Sequence, residues 1–503
     1  MKSYVDYMKE LTSDDIYKSL VGYGIFADKL PPCFTSEKLF SAIENCPQDK
    51  KPHDHIIYDN IRNINIPRQL GIPNPIAYMQ LCRCISDNWD QITKHFEDCT
   101  EYQNYKISRI HVRKLYDKDS IFEMNYNDWR NDPTPETEMM MGMKYIVNAD
   151  ISNCFPSIYT HSLSWALVGK ETAKHNQHND TWYNRLDEYC RNTNFGETYG
   201  LLIGPHAYNI LSEIVLCDID RELVKRHWKY VRNIDDFTAY TSSEEEAEQF
   251  LMDLQNELKK YNLLLNHKKT RIRKLPYENE EGWLRNINSI NIVSSYGKVD
   301  YKLCKSYFNY AIDLFRSENE DASVIKYAIK VLHGKELTEN AKKYEKEFTF
   351  HLAMIYPYVV PLLDEYVFTS CEVSKSEIQK LTNLVYEGYM NKQIYESVSF
   401  ALFWAIKYKF EIETFDVNRI VETNDCVLMC LASKYCECFA KQEWFEKLKE
   451  YALMLSRCED EFDRNWLFVY ETLKRNEIPP TYNEWRLLKK KNVTFINFKK
   501  GRV

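Results

Sequence analysis

Apolar and polar positions divide the chain into two textures that meet near residue 300. Residues 1–50 read as helical, with Thr12-Ser13-Asp14-Asp15 offering caps ahead of the run from Ile16 to Leu20. Residues 51–75, punctuated by Pro67, Pro73 and Pro75, read as loop. Apolar residues return at helical spacing from Ala77 to Phe96. A β-prone run with interleaved basic residues, K-I-S-R-I-H-V-R-K-L, lies within 105–127. Lys144–Tyr159 has a buried-strand pattern up to Asp150, and the spacing predicts a helix that continues through Leu167. A further helix is predicted over 204–225, opening at Gly204-Pro205. Val231–Tyr240 reads as two strands with a turn at Asp235-Asp236. Glu244–Tyr261 reads as an acidic helix capped by Ser242-Ser243, and 263–272 as a strand with a basic turn.

Beyond residue 300 the strand signals fade. Apolar residues recur at helical spacing, as at Tyr307, Ala311, Leu314 and Phe315, and again around 350–366, 376–389, 396–408 and 444–456. Serial helix pairs without an exact repeat predict a degenerate α-solenoid of HEAT-like character, with an irregular helical bundle as the alternative. The expected fold is therefore α+β over 1–300, followed by an all-α repeat domain over 301–503.

Composition narrows the function classes. The net charge of −8 argues against a globally basic binder of long nucleic acid, so any basic surface has to be local. The 15 cysteines form no C-x-x-C pair. Cys82/Cys84, Cys436/Cys438 and Cys426/Cys430 lack zinc spacing and read as reduced thiols. The first residues carry acids and no apolar core of a signal peptide. The longest apolar run, 400–406, is far short of the roughly 20 residues of a membrane span. A cytoplasmic protein without membrane contact is expected.

The chemistry concentrates in three acids. Asp150 ends an apolar strand, and Asp235 and Asp236 sit at a hairpin tip. Any one alone is ordinary turn chemistry. Two strand ends that bring three carboxylates together would repel one another unless cations join them. Mg²⁺ prefers carboxylate oxygens together with substrate phosphates, and two such ions about 4 Å apart clamp the oxygens of a phosphoryl transfer.

Four segments then resemble the palm motifs of reverse transcriptases, in order, within 144–272. A-D-I-S-N-C-F-P-S-I-Y (149–159) resembles motif A, and L-L-I-G-P-H-A-Y-N-I-L-S-E-I (201–214) resembles motif B. R-N-I-D-D-F (232–237) resembles the Y-x-D-D box of motif C, and L-L-N-H-K-K-T (264–270) resembles motif D. The resemblance implies that Asp150, Asp235 and Asp236, with Ile151, hold two Mg²⁺ (or Mn²⁺) ions. It implies that Phe155 is the gate that excludes a 2′-hydroxyl, and so that the substrates are dNTPs. Gly204 would let the motif B backbone approach the nucleotide, and Lys269 would donate a proton to pyrophosphate. Arg109 and Arg113, with Lys106 and Lys114, are candidates to hold the triphosphate, or else a solvated strand face. Three positions depart from the pattern: Asn233 replaces the motif C aromatic, Ile203 precedes Gly204, and Tyr208 stands where a small residue is usual. Those positions line the nucleotide and template side in ordinary reverse transcriptases.

The I-G-P form of motif B, the motif A start and the long helical half together resemble the bacterial abortive-infection (Abi) polymerases among the defence-associated reverse transcriptases. That resemblance implies synthesis of DNA without a template, primed by a tyrosine of the protein, with the single-stranded product left covalently attached. It also implies a homo-oligomer, trimeric or hexameric, that blocks phage growth. Tyr4, Tyr7, Tyr17 and Tyr23 are the priming candidates if the N-terminus is a free arm, Tyr7 foremost. The helical half is expected to wall the product channel. The alternatives are a defence reverse transcriptase templated by a non-coding RNA, and a binding protein that uses the palm only to hold nucleotides.

Overall fold

A computed structural model describes residues 3–42, 51–63, 67–115, 121–123, 135–178, 180–276, 282–294 and 296–498. Among the described residues, eight strands precede a long helical region. They are β1 (His55–Ile61), β2 (Pro67–Pro73), β3 (His111–Val112), β4 (Phe122–Glu123), β5 (Tyr145–Asp150), β6 (Tyr230–Asn233), β7 (Asp236–Thr241) and β8 (Arg271–Lys274). β1 pairs with β2 and β3 with β4, each antiparallel. The other four form one antiparallel sheet in the order β6-β7-β5-β8.

The inner strands β5 and β7 carry buried apolar residues on both sides because both faces are covered, whereas the edge strand β8 is basic and partly exposed. Val147 and Ala149 of β5 face the main core with Phe237 and Ala239 of β7. Ile146 joins Met139, Val231 and Tyr240 in a small cluster on the opposite face. The His206–Lys225 helix packs into the main core and is buried along most of its length, with Ile210, Ile214 and Cys217 among its buried residues. The Glu244–Lys260 helix carries three glutamates in its first turn and Lys259 and Lys260 in its last, opposing the helix dipole at both ends. Its N-cap is Ser243, as the sequence indicates.

Residues expected to be loop, 51–75, form β1 and β2 instead. In β1 the residues Ile56, Tyr58 and Asn60 are buried while Ile57 and Asp59 point outward, a period-two pattern. Pro67 and Pro73 occupy the ends of β2, where a missing N–H is tolerated. Three smaller differences follow. The 77–96 pattern is two helices, Pro75–Asp87 and Trp89–Thr100, meeting at Asn88. In the 263–272 stretch the strand starts only at Arg271. Within 105–127, residues 116–120 and 124–127 lie outside the described residues.

From Tyr301 to Lys490 the described elements are helical. The helical region does not stand apart, since one hydrophobic core runs from Val5 to Ile496. The C-terminal segment returns to the N-terminal half, where Phe34 bridges Ile496 and Trp466 packs on Phe26 and Phe495. Buried polar contacts add to this junction. Asp463 meets His53 Nδ1 at 2.9 Å and accepts from Asn74 Nδ2 at 2.8 Å, and Glu396 accepts from the Ile61 N–H at 2.8 Å and Asn60 Nδ2 at 2.6 Å. These bonds clamp β1 and its flank against the helical region.

One buried acid in that region gives a pH-dependent prediction. Glu345 is fully buried; Cys371 Sγ donates to its Oε2 at 3.3 Å, and its Oε1 has no hydrogen-bond partner among the described residues. Burial pushes its carboxyl up to about 7, against the weaker pull of the Cys371 bond. The folded protein therefore holds this proton more tightly than the unfolded chain. The stabilisation is complete below about 4.5 and is lost as pH rises through about 7. Glu345→Gln should flatten this pH dependence and raise stability at pH 8 by roughly 1–3 kcal/mol. Thermal melts of both proteins at pH 5 and pH 8 test it, and an equal shift at both pH values would refute it.

Candidate active site

The palm acids meet at one end of the sheet. Asp150 is the last residue of β5 and pairs in register with Asp236, the first residue of β7. Asp235 lies in the two-residue turn between β6 and β7, and its carbonyl accepts the Ile151 N–H at 3.1 Å. That bond ties the hairpin tip to the end of β5. The turn needs Ile234 in the left-handed region at φ 56°, an uncommon conformation for a β-branched residue. Arg232 holds it there, since Arg232 Nη1 donates to the Ile234 carbonyl at 2.8 Å. Arg232 is itself fixed from below by Glu213 and Asp220 of the His206–Lys225 helix, at 3.0 and 2.5 Å. All three side chains are fully buried.

Asp150 is 5% exposed and both of its oxygens are engaged. Lys269 Nζ donates to Oδ2 at 2.6 Å and Asn266 Nδ2 to Oδ1 at 2.9 Å. Both partners come from the segment after the Glu244–Lys260 helix, which also bridges Ile151 through Leu265. The Asp235 carboxyl is raised by burial and then by the Asp150 charge, with Lys269 and Arg68 opposing. Asp236 is pushed up to about 7 by desolvation, its hydrogen bond to Asp150 and the charges of Asp235 and Asp150. It reaches solvent, but its carboxyl is set among protein groups of like charge. Two carboxyls raised by burial and by the neighbouring Asp150 charge are, with Asp150, the donor set a divalent cation relieves. Among the described residues no three His, Cys, Asp or Glu side chains form a ready-made cage, and Asp150 is occupied by Lys269 and Asn266. The acids fit a divalent ion once the Lys269 ammonium gives up its place on Asp150.

The remaining expected residues divide. Phe155 is half-buried in the short Cys154–Ser157 helix beside the acids, and its carbonyl accepts the Leu201 N–H at 2.9 Å. Gly204 does permit a close approach, but to other protein. At φ 124° a Cβ there would meet Ala27 Cβ at 3.2 Å, with the Gly71 carbonyl at 3.7 Å and Leu70 Cβ at 3.9 Å. The neighbouring Ile203 carbonyl accepts the Gly71 N–H at 3.0 Å, so β2 is seated on the motif B loop. Tyr208 is buried, and its hydroxyl donates to Thr193 Oγ1 at 2.6 Å.

Arg109 does not fit the triphosphate role. It is 2% exposed and donates through Nη2 to Glu136 Oε1 at 2.9 Å, so its charge is spent inside the protein. Arg113 is also buried and lies with Lys106 over the Tyr7 ring, 5.7 and 5.5 Å from its centroid. The expected free N-terminal arm is a packed element instead. Tyr4–Lys9 and Ser13–Tyr23 are capped helices whose Val5, Met8, Ile16 and Leu20 enter the core. Tyr17 is buried with the Arg83 guanidinium 3.6 Å from its ring centroid, whereas Tyr7 and Tyr23 are half-buried. The Tyr4 side chain lies outside the described residues.

Besides Lys269, two cations that act on the acids come from the segment expected to be loop. Arg68 in β2 acts on Asp235, and Arg62, just past β1, interacts with both Arg68 and Asp235. The alternation in H-I-I-Y-D-N-I was the signal that could have found this pair of strands. Arg232 was equally readable, from the buried acids Glu213 and Asp220 seven residues apart on one face of an apolar helix.

Residues 106–282 match the reverse transcriptase (RNA-dependent DNA polymerase) family. No curated protein matches the chain. Among solved structures it is similar to apo telomerase from Candida tropicalis truncated from its C-terminal domain, at 14% identity and a TM-score of 0.27, over 47% of this chain and 53% of that one. It is similar also to apo telomerase from the same organism, at 12% identity and a TM-score of 0.32, over 80% of this chain and 75% of that one. The chain thus spans about half the length of the first of these. No helix among the described residues is long and apolar enough to cross a membrane. Domains of the matched family use nucleotide substrates and, in general, divalent metal ions. The acids, the hairpin that carries them and the lysine on Asp150 all fall inside the matched span, so this chain carries a reverse transcriptase domain, a nucleotidyltransferase of the polymerase class.

Proposed function

We propose that this chain is a phage-defence DNA polymerase of the abortive-infection type, which adds dNTPs without a template to a tyrosine hydroxyl of the protein itself. The observation that carries the polymerase reading is the register of Asp150 against Asp236, with Asp235 at the tip and Lys269 on Asp150. Asp150, Asp235 and Asp236, with the Ile151 carbonyl, would hold two Mg²⁺ (or Mn²⁺) ions, which supply charge neutralisation and activate the attacking oxygen. The tyrosine Oη, and later the 3′-hydroxyl of the growing strand, loses its proton to solvent water and attacks the α-phosphorus. The new O–P bond forms as the bond to the pyrophosphate oxygen breaks. Lys269, which sits on Asp150, would be released from it when the ions bind and give its ammonium proton to the leaving pyrophosphate. Phe155 excludes a 2′-hydroxyl, and Arg62 and Arg68 neutralise the triphosphate.

Untemplated synthesis is supported by the contact between β2 and the motif B loop. Ala27, Gly71 and Leu70 occupy the approach that Gly204 opens. Tyr7 is the priming residue in this reading, since Tyr17 is buried whereas Tyr7 is half-buried beside Lys106 and Arg113. In this reading residues 1–300 form the polymerase and 301–503 a HEAT-like repeat array, in a cytoplasmic trimer or hexamer bearing attached single-stranded DNA.

The test is incubation of purified protein with radiolabelled dNTPs and Mg²⁺, with no template or primer. DNase-sensitive label that stays on the protein through denaturing electrophoresis is expected, and peptide mass then maps the tyrosine. A second reading, copying of a bound RNA, is favoured by the RNA-dependent description of the matched family. Label that disappears when the protein is pretreated with RNase would establish that reading instead, and absence of any incorporation would refute both.

A further inference from the structure

A chain whose net charge is −8 gathers cations at one place. The segment after β1 docks on the helical region, where the Ala322 N–H donates to Asn63 Oδ1 at 2.9 Å and the Ile61 N–H to Glu396 Oε2 at 2.8 Å. This contact sets Arg62 beside the Ala322–Leu332 helix, whose Lys326 and Lys330 are one turn apart on the same face. Lys326 Nζ lies 5.1 Å from the Tyr358 ring centroid and Lys330 Nζ 5.4 Å from that of Tyr366. Lys29 completes the group from the N-terminal side.

The group is crowded. Lys326 is held down to about 8 by burial and by the charges of Lys29, Arg62 and Lys330, with Glu396 opposing. Arg62 is lowered by burial and by Arg68, with Asp235 opposing. Acids in reach include the buried Glu396 below, and Glu320 and Asp321 near Tyr358 at the start of the helix. Glu396 is itself pushed up to about 7 by burial, so it is only partly ionised near neutrality and neutralises the cluster poorly. Like charges kept together at a cost in stability point to an anion that relieves them. The cations also form a series leading away from the catalytic acids, from Asp235 through Arg68 and Arg62 to Lys326 and Lys330. Such a series extends past the dNTP site into the helical region, and a positively charged groove that tracks the backbone is how single strands are bound without sequence preference.

We infer that Lys326 and Lys330, with Arg62 and Lys29, bind the phosphate backbone of a single-stranded polynucleotide passing between the reverse transcriptase domain and the helical region. The inference deepens the polymerase reading and rests on it for the identity of the strand. Its test needs no turnover. Nuclease-treated protein in metal-free buffer is titrated into fluorescent oligo(dT) and oligo(U), and anisotropy is followed across a range of salt concentrations. Wild-type binding with a salt-dependent affinity is expected for one or both, the stronger identifying a deoxyribose or ribose strand. In Lys326→Met/Lys330→Met the slope of log affinity against log salt should fall by roughly 1.4, about 0.7 for each phosphate no longer neutralised. The melting temperature should hold or rise, because neutralisation relieves the repulsion. A lysine with a purely structural role would lower it. Lys330→Glu, on an exposed position, gives the same reading should the double variant fail to fold. Absence of wild-type binding to either oligomer, or an undiminished slope in the variants, would overturn the inference. The polymerase reading would still be decided separately by dNTP incorporation.

Discussion

Asp235→Asn/Asp236→Asn should lower dNTP incorporation by on the order of 10³-fold or more while leaving the protein at least as stable as the wild type. Charge stabilisation by bound metal contributes several kcal/mol to such a transfer, and each 1.36 kcal/mol is a factor of ten. Asparagine keeps the size and one acceptor oxygen of each side chain but removes the charge that holds a divalent ion. The stability half of the prediction comes from the same crowding. Asp236 is pushed up to about 7, and Asp235 is raised, because they share a partly desolvated corner with Asp150. Removing two of the three charges leaves Asp150 with Lys269 and Asn266 as partners. A structural role for the acids would give the opposite pattern, a lowered melting temperature with activity falling in proportion to folded protein. Incorporation within tenfold of wild type, with folding intact, would remove the three acids from the chemistry.

The site was legible where chemistry and periodicity coincide. Asp150 at the end of an apolar strand and Asp235-Asp236 in a turn could be placed from sequence because a sheet buried on both faces leaves its acids only at strand ends. Ser243 could be placed as a cap from the acidic run after it. What escaped was what depends on partners distant in sequence. β1 and β2 look like loop when proline is weighted above alternation, yet both prolines fall at strand ends. Arg109 reads as a phosphate ligand because its neighbours are basic. Whether an arginine faces solvent or a buried glutamate such as Glu136 is settled by the fold, not by local composition. The N-terminal tyrosines read as mobile because helices of six and eleven residues are marginal alone. Their packing comes from distant sequence: the Trp89 indole N–H donates to the Met8 carbonyl, and Tyr17 is covered by Arg83 and Phe40. Gly204 carried the right property, freedom at φ 124°, for a different neighbour.

Arg232 should be the most costly single position in the palm to alter. Its guanidinium is fully buried, donates to Glu213, Asp220 and the Ile234 carbonyl, and carries one positive charge between two acids. One guanidinium cannot neutralise two carboxylates, and the pair resolves the conflict by dividing. Burial and the Glu213 charge hold the Asp220 carboxyl up, despite Arg232, whereas the Arg232 charge and hydrogen bonds bring Glu213 below the usual range despite its burial. Arg232→Met leaves that network without its cation and should cost about 3–5 kcal/mol, seen as a lower denaturation midpoint. Arg232→Lys keeps the charge but not the fork that spans Glu213, Asp220 and Ile234 at once, and should fall between. Stability and positioning can then be separated. Arg232→Met combined with Glu213→Gln and Asp220→Asn removes the uncompensated charges, so most of the stability should return. Incorporation should remain depressed, because the Ile234 carbonyl has lost the donor that fixes the strained turn beneath Asp235. If the triple variant recovers activity together with stability, Arg232 only stabilises the palm and does not position the acids. A triple variant as stable as wild type and still slow would make the buried arginine the brace that aims the catalytic hairpin.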